Sequence, residues 1–113
     1  MTSPIAHFNG QLVPLDQVHI SPLDRGFLFG DGVYEVIPAY GGKLLRAHEH
    51  FARLQRSMDE IGLANPYTAE GWVDAVNALL AHHAGDQAVY IQVTRGVPPK
   101  RDHVIPKGLA PTV

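Results

Sequence analysis

The chain has 113 residues, 45% hydrophobic and 18% charged, enough apolar content for one small domain with its own core. Nine basic and eleven acidic residues leave a net charge of −2, which argues against a nucleic-acid or anionic-membrane surface; the lack of cysteine excludes disulfides and thiolate zinc sites. No apolar run approaches membrane-spanning length, and Met1 to Ile5 carries neither the basic nor the apolar region of a secretion signal, so a soluble, cytoplasmic protein is expected.

In chain order, Ala6 to Phe8, Asn9-Gly10 and Gln11 to Val13 read as a hairpin, because Asn-Gly takes the positive φ angles of a type I′ turn. Val18 to Ile20 reads as a short extended piece ended by Ser21-Pro22. The stretch Leu23 to Val36, LDRGFLFGDGVYEV, carries three glycines and reads as a loop that brings backbone close to something. It has neither a GxGxxG fingerprint nor a following GK[ST], so a dinucleotide fold or P-loop is not indicated. Val33 to Tyr40 alternates as a strand, in which Pro38 suits an edge or a bulge. Gly41-Gly42 then turns it into Lys43 to Leu45.

The period then changes. Phe51, Leu54, Met58 and Ile61 fall at helical spacing, with Gly62 placed as C′ and Asn65-Pro66 blocking continuation. A second helix is expected from an N-cap at Thr68, with Glu70 in its first turn and Trp72, Val73, Val76, Leu79 and Leu80 apolar. His82 and His83 are expected at its exposed end, before Gly85. Ala88 to Arg95 reads as a strand, and a proline-rich loop follows Gly96. Strands, two helices and a closing strand give an α+β domain: a mainly antiparallel sheet with two helices packed on one side.

Several side chains invite chemistry. Arg53, on the first long helix, reads by itself as a solvated charge. His48 and His50 are two apart on that helix and point in different directions, so a metal pair is rejected and His50 is read as structural or as a support to a residue of the site. Tyr34 shares a strand face with Val36 and opposes Glu35. Arg101 and His103, two apart in an extended loop, can project to one side and converge on an anion, though a mobile basic loop is the plainer reading.

The motifs DRGFLFGDGVYEV and AHEHFARL resemble the amino-terminal domain of the class IV, fold type IV, pyridoxal-phosphate aminotransferases, with the D-amino-acid branch most similar. The resemblance implies that residues 1–113 form the small domain of a homodimeric enzyme that transaminates D-amino acids with a 2-oxo acid acceptor. It implies that Arg53 contacts the pyridoxal 5′-phosphate phosphate, and that Tyr34, Arg101 and His103 hold the substrate carboxylate, the last two across a dimer interface. The spacing from Gly96 to Arg101 is one residue longer than in the family pattern. No lysine among Lys43, Lys100 and Lys107 matches the family's Schiff-base position, so none is assigned as catalytic. The carboxyl end, Leu109 to Val113, has no helix or charged tail, and by the resemblance it leads into a second domain carrying that lysine; residues 1–113 alone are expected to be inactive. A branched-chain aminotransferase, an aminodeoxychorismate lyase or a non-catalytic α+β binding module are the alternatives, and the Arg101-x-His103 pair favours the D-amino-acid branch.

Overall fold

The computed structural model describes residues 3–113. Strands β1 (Ile5–Phe8) and β2 (Gln11–Pro14) form a two-stranded antiparallel hairpin. Asn9 and Gly10 turn it with φ of 49° and 87°, as the sequence requires of a type I′ turn. A 3-10 turn over Leu15–Gln17 follows, and Val18 is extended, but no strand forms through Ile20.

The glycine stretch departs from expectation, because its first part is a short helix, α1 (Arg25–Phe29). Asp24 caps it, with the Gly26 N–H donating to Oδ1 at 2.8 Å, and Gly30 ends it in the left-handed region. The glycines do admit a close approach, and the neighbour is the chain's own last strand. A Cβ on Gly26 would overlap the Thr94 methyl, and one on Gly32 would lie 2.8 Å from the Val93 carbonyl oxygen.

β3 (Gly32–Tyr40), β4 (Lys43–Leu44) and β5 (Gln87–Thr94) form an antiparallel sheet in the order β4-β3-β5. β3 is the middle strand, yet it carries Pro38. A strand residue's N–H and C=O point to the same side, and the Pro38 carbonyl accepts from Leu45 N on the β4 side. There the β4 ladder comprises just Ala39↔Leu44 and Tyr40↔Lys43, so the missing N–H faces the end of a ladder and no bond to β5 is lost.

Helices α2 (Ala47–Glu60) and α3 (Ala69–Leu80) pack on one face of this sheet. α2 ends as expected, with Gly62 at φ 65° and Leu63 N donating back to the Met58 carbonyl, which brings Leu63 into the core. Thr68 caps α3 by accepting from Gly71 N. The core joins Ile37 and Ala39 of β3, Val89, Ile91 and Val93 of β5, Phe51, Leu54 and Met58 of α2, and Trp72, Val76 and Leu80 of α3. Each fully buried side chain of this size contributes about 1.5–3 kcal/mol. His83 is half-buried, where full exposure was expected, and its Nε2 meets the Ile5 carbonyl at 3.0 Å. The α+β architecture with helices on one side stands as expected, with α1 added and the expected hairpin standing apart from the three-stranded sheet. No helix among the described residues is long and apolar enough to cross a membrane.

Candidate functional site

The alternation of β3 sends Glu35, Ile37 and Ala39 toward the helices and Tyr34, Val36 and Tyr40 to the open face. A carboxylate on the core side requires partners, and α2 supplies two. His50 and Arg53 sit three apart, one turn of one helix face. Arg53 Nε donates to Glu35 Oε2 at 2.7 Å and Nη2 donates to Oε1 at 2.8 Å, while His50 Nδ1 lies 2.8 Å from Oε1. Hydrogen bonding to Arg53, and then to His50, outweighs burial and holds the Glu35 carboxyl below its ordinary range. An ionised carboxylate only accepts, so His50 Nδ1 carries the hydrogen.

The two ends of this pair live in different media. Glu35 is 4% exposed, whereas the Arg53 side chain is 59% exposed. One edge of the guanidinium is spent on Glu35, and Nη1 makes no hydrogen bond among the described residues. The cluster lies beside the part of β3 that precedes Pro38, where β4 offers no pairing. A forked, permanently charged group held by one edge and open on the other suits a phosphate dianion. His50 meets the carboxylate that also holds Arg53, and Arg53 is not a free solvated charge. Glu35 was missed, although its place on the core face of an alternating strand was a usable signal.

Tyr34 is 64% exposed on the open face, stacked on Tyr90 of β5 at 6.0 Å between ring centroids. It looks away from Glu35, as alternation demands. Val36 and Tyr40 are exposed on the same face, which is therefore apolar and open.

A third cluster centres on Asp31, whose Oδ2 accepts from Arg25 Nε and Arg95 Nε, both at 2.8 Å. Burial pushes the Asp31 carboxyl up, but the hydrogen bonds from Arg95 and Arg25 win and its pKa is lowered. Arg95 Nη2 also donates to the Ile61 carbonyl at 2.6 Å, at the carboxyl end of α2 where orphan carbonyls favour a cation. Beside this cluster lies the loop that follows β5. Arg101 and His103 are both exposed and both rest on Phe29, the guanidinium carbon 5.2 Å and the imidazole centroid 5.3 Å from its ring centroid. The structure thus brings Arg101 and His103 together. Among the described residues it joins neither to Tyr34 or Arg53 by a hydrogen bond or ring contact, and no group of three potential metal ligands occurs.

Comparison with known proteins adds the following. Residues 32–112 match the family model described as amino-transferase class IV. A D-alanine aminotransferase of Staphylococcus haemolyticus is 46% identical over 99 residues, covering 87% of this chain and 35% of that protein. The branched-chain aminotransferase of Thermoproteus uzoniensis, solved with norvaline, superposes with a TM-score of 0.86 at 28% identity over 97% of this chain and 38% of that one. The 4-amino-4-deoxychorismate lyase of Pseudomonas aeruginosa shares the fold, with a TM-score of 0.77 at 24% identity over 94% of this chain and 36% of that one. The chain therefore spans about a third of the length of the relatives it matches. It belongs to the class IV amino-transferase family.

Proposed function

We propose that the chain is the amino-terminal small domain of a homodimeric, pyridoxal 5′-phosphate-dependent D-amino-acid aminotransferase, in which Arg53 holds the cofactor phosphate and Tyr34, Arg101 and His103 hold the substrate carboxylate. The observation that carries the reading is the 46% identity to a D-alanine aminotransferase across 87% of the chain. The donor set fits the phosphate half of the cofactor: one charged fork, anchored on Glu35 and open to solvent on its free edge. When bound, pyridoxal phosphate supplies the electron sink for exchange of the amino group. The residues of this chain bind and orient. Arg53 fixes the phosphate end, Glu35 fixes Arg53, and His50 donates to the same carboxylate. Arg101 offers a planar fork to a substrate carboxylate, with His103 beside it on Phe29.

Tyr34 lies on the open apolar face and not at Phe29, which supports a carboxylate site assembled from two copies. The lysine chemistry would come from the part of a longer protein that corresponds to the rest of the relatives' length. Lys43, Lys100 and Lys107 are all exposed and outside the Glu35 cluster. One observation favours a second reading, a branched-chain L-amino-acid substrate: the 0.86 superposition on the Thermoproteus enzyme.

The test is to express the full reading frame containing this chain and assay D-alanine, L-alanine and L-leucine with 2-oxoglutarate. Preference for D-alanine, with kcat/KM reduced by Arg101→Ala, supports the proposal. Preference for L-leucine selects the second reading. An open frame that yields no transaminase activity returns the domain to a binding role.

A further inference from the structure

Arg25 is an arginine with an unusual burden. It is 4% exposed, and its guanidinium reaches three targets at once. Nε donates to Asp31 at 2.8 Å, Nη1 donates to the Asp102 carbonyl at 2.7 Å, and Cζ lies 4.7 Å from the Phe29 ring centroid. Its backbone N–H donates to the Gly96 carbonyl at 2.9 Å, so one residue grips both the start of the loop after β5 and its middle.

Asp31 is shared between Arg25 and Arg95, and the Asp102 carbonyl takes up a guanidinium N–H of Arg25 that Asp31 does not engage. Asp102 stands between Arg101 and His103 in an exposed segment. Among the described residues, the Arg25–Asp102 contact is the one hydrogen bond joining residues 100–105 to the rest of the fold. The segment bends at His103 and Val104, where Val104 N–H donates to Asp102 Oδ1 at 3.0 Å, and fixing the Asp102 carbonyl as well limits where its two neighbours can project. Phe29, in the same short helix as Arg25, then receives both: Arg101 at 5.2 Å and His103 at 5.3 Å. Guanidinium over a ring face is a favourable contact at this range.

We propose that Arg25 is the positioning residue of the Arg101–His103 pair, holding the Asp102 carbonyl so that both side chains are presented together beside Phe29. The proposal rests on the reading of those two residues as the substrate-carboxylate contact, and it concerns how the pair is held. A fork is required, since one nitrogen faces Asp31 while another reaches the loop. Lysine donates from a single point and lacks the separated nitrogens that reach Asp31 and the loop together.

The experiment compares the full-length protein that contains this chain with its Arg25→Lys variant by NMR. Backbone heteronuclear relaxation is expected to show residues 101–104 as ordered as the sheet in the parent and mobile in Arg25→Lys, with the thermal midpoint and the β3 and β5 resonances nearly unchanged. A loop equally ordered in both overturns the proposal. Should Arg25→Lys not fold, the parent decides: a scalar coupling across the hydrogen bond between Arg25 Nη1 and the Asp102 carbonyl carbon is expected, and a fast-exchanging Arg25 guanidinium overturns it. D-alanine titration into the parent, read on the Arg101 and His103 side chains, tests the carboxylate reading separately. A saturable shift weakened at least tenfold in Arg25→Lys supports both. Absence of any shift in the parent counts against the carboxylate role and leaves the loop-order result to judge Arg25.

Discussion

Glu35 and Arg53 meet through two parallel hydrogen bonds of 2.7 and 2.8 Å, although one is buried in the sheet–helix core and the other stands largely in solvent. The carboxylate acts as an internal anchor for an external fork. An unanchored arginine would lose up to about 2 kcal/mol of rotamer entropy on meeting a ligand, and here folding has already fixed the side chain.

The anchor makes Arg53 matter to stability as well as to binding. Arg53→Ala leaves a buried carboxylate with His50 as its remaining side-chain partner, which should lower stability. Urea unfolding should show that loss, and the double variant Arg53→Ala with Glu35→Gln should recover part of it. The two changes therefore should not add. Additive losses would mean that the pair contributes nothing as a pair.

Acid should expose the same cluster. The Glu35 carboxyl, ordinarily near 4.5, is lowered in the fold mainly by hydrogen bonding from Arg53, and Asp31, ordinarily near 3.8, is lowered by Arg95 and Arg25 against the effect of burial. The unfolded chain thus binds more protons in this range, so stability rises with pH. The stabilisation is fully present above about 4.5 and is lost as pH falls below that value toward the folded-state values. Unfolding free energy measured from pH 6 down to 3 should fall, and Glu35→Gln should flatten the upper part of that fall.

Gly26 tests the close approach of α1 to β5. Alanine ordinarily favours a helix over glycine by about 1 kcal/mol. At this position its Cβ would overlap the methyl of the buried Thr94, and overpacking of that kind costs about 1–3 kcal/mol. Gly26→Ala is therefore expected to lower the thermal midpoint, and Thr94→Ala in the same chain to restore part of it. A more stable single variant would show that the contact relaxes freely.

Much of the fold was legible in local pattern. Asn9-Gly10 dictated its turn, the Phe51, Leu54 and Met58 spacing dictated α2, and Thr68 and Gly62 marked helix ends through their own backbone chemistry. Helix α1 was not legible, because three glycines in a window argue against helix. Its stability comes from elsewhere: the Asp24 cap, the Arg25–Asp31 pair and the backbone bond from Arg25 to Gly96. In the candidate site, Arg53 and the Arg101–His103 pair could be singled out from the motifs, but their partners could not. Glu35 lies 18 residues from Arg53, and Asp31 lies 64 from Arg95, so the ion pairs exist only once the sheet has formed.

The role proposed for Arg53 is phosphate binding. It is tested most directly by titrating the chain with pyridoxamine 5′-phosphate, which lacks an aldehyde and cannot react with the exposed lysines. The Arg53 side-chain resonances report binding, and pyridoxine serves as the phosphate-free control. A charge-assisted contact is worth about 1.5–3 kcal/mol, so Arg53→Ala should weaken affinity roughly tenfold to a hundredfold, with pyridoxine binding no better than that variant. Equal affinity of the parent and Arg53→Ala for pyridoxamine 5′-phosphate would contradict the claim.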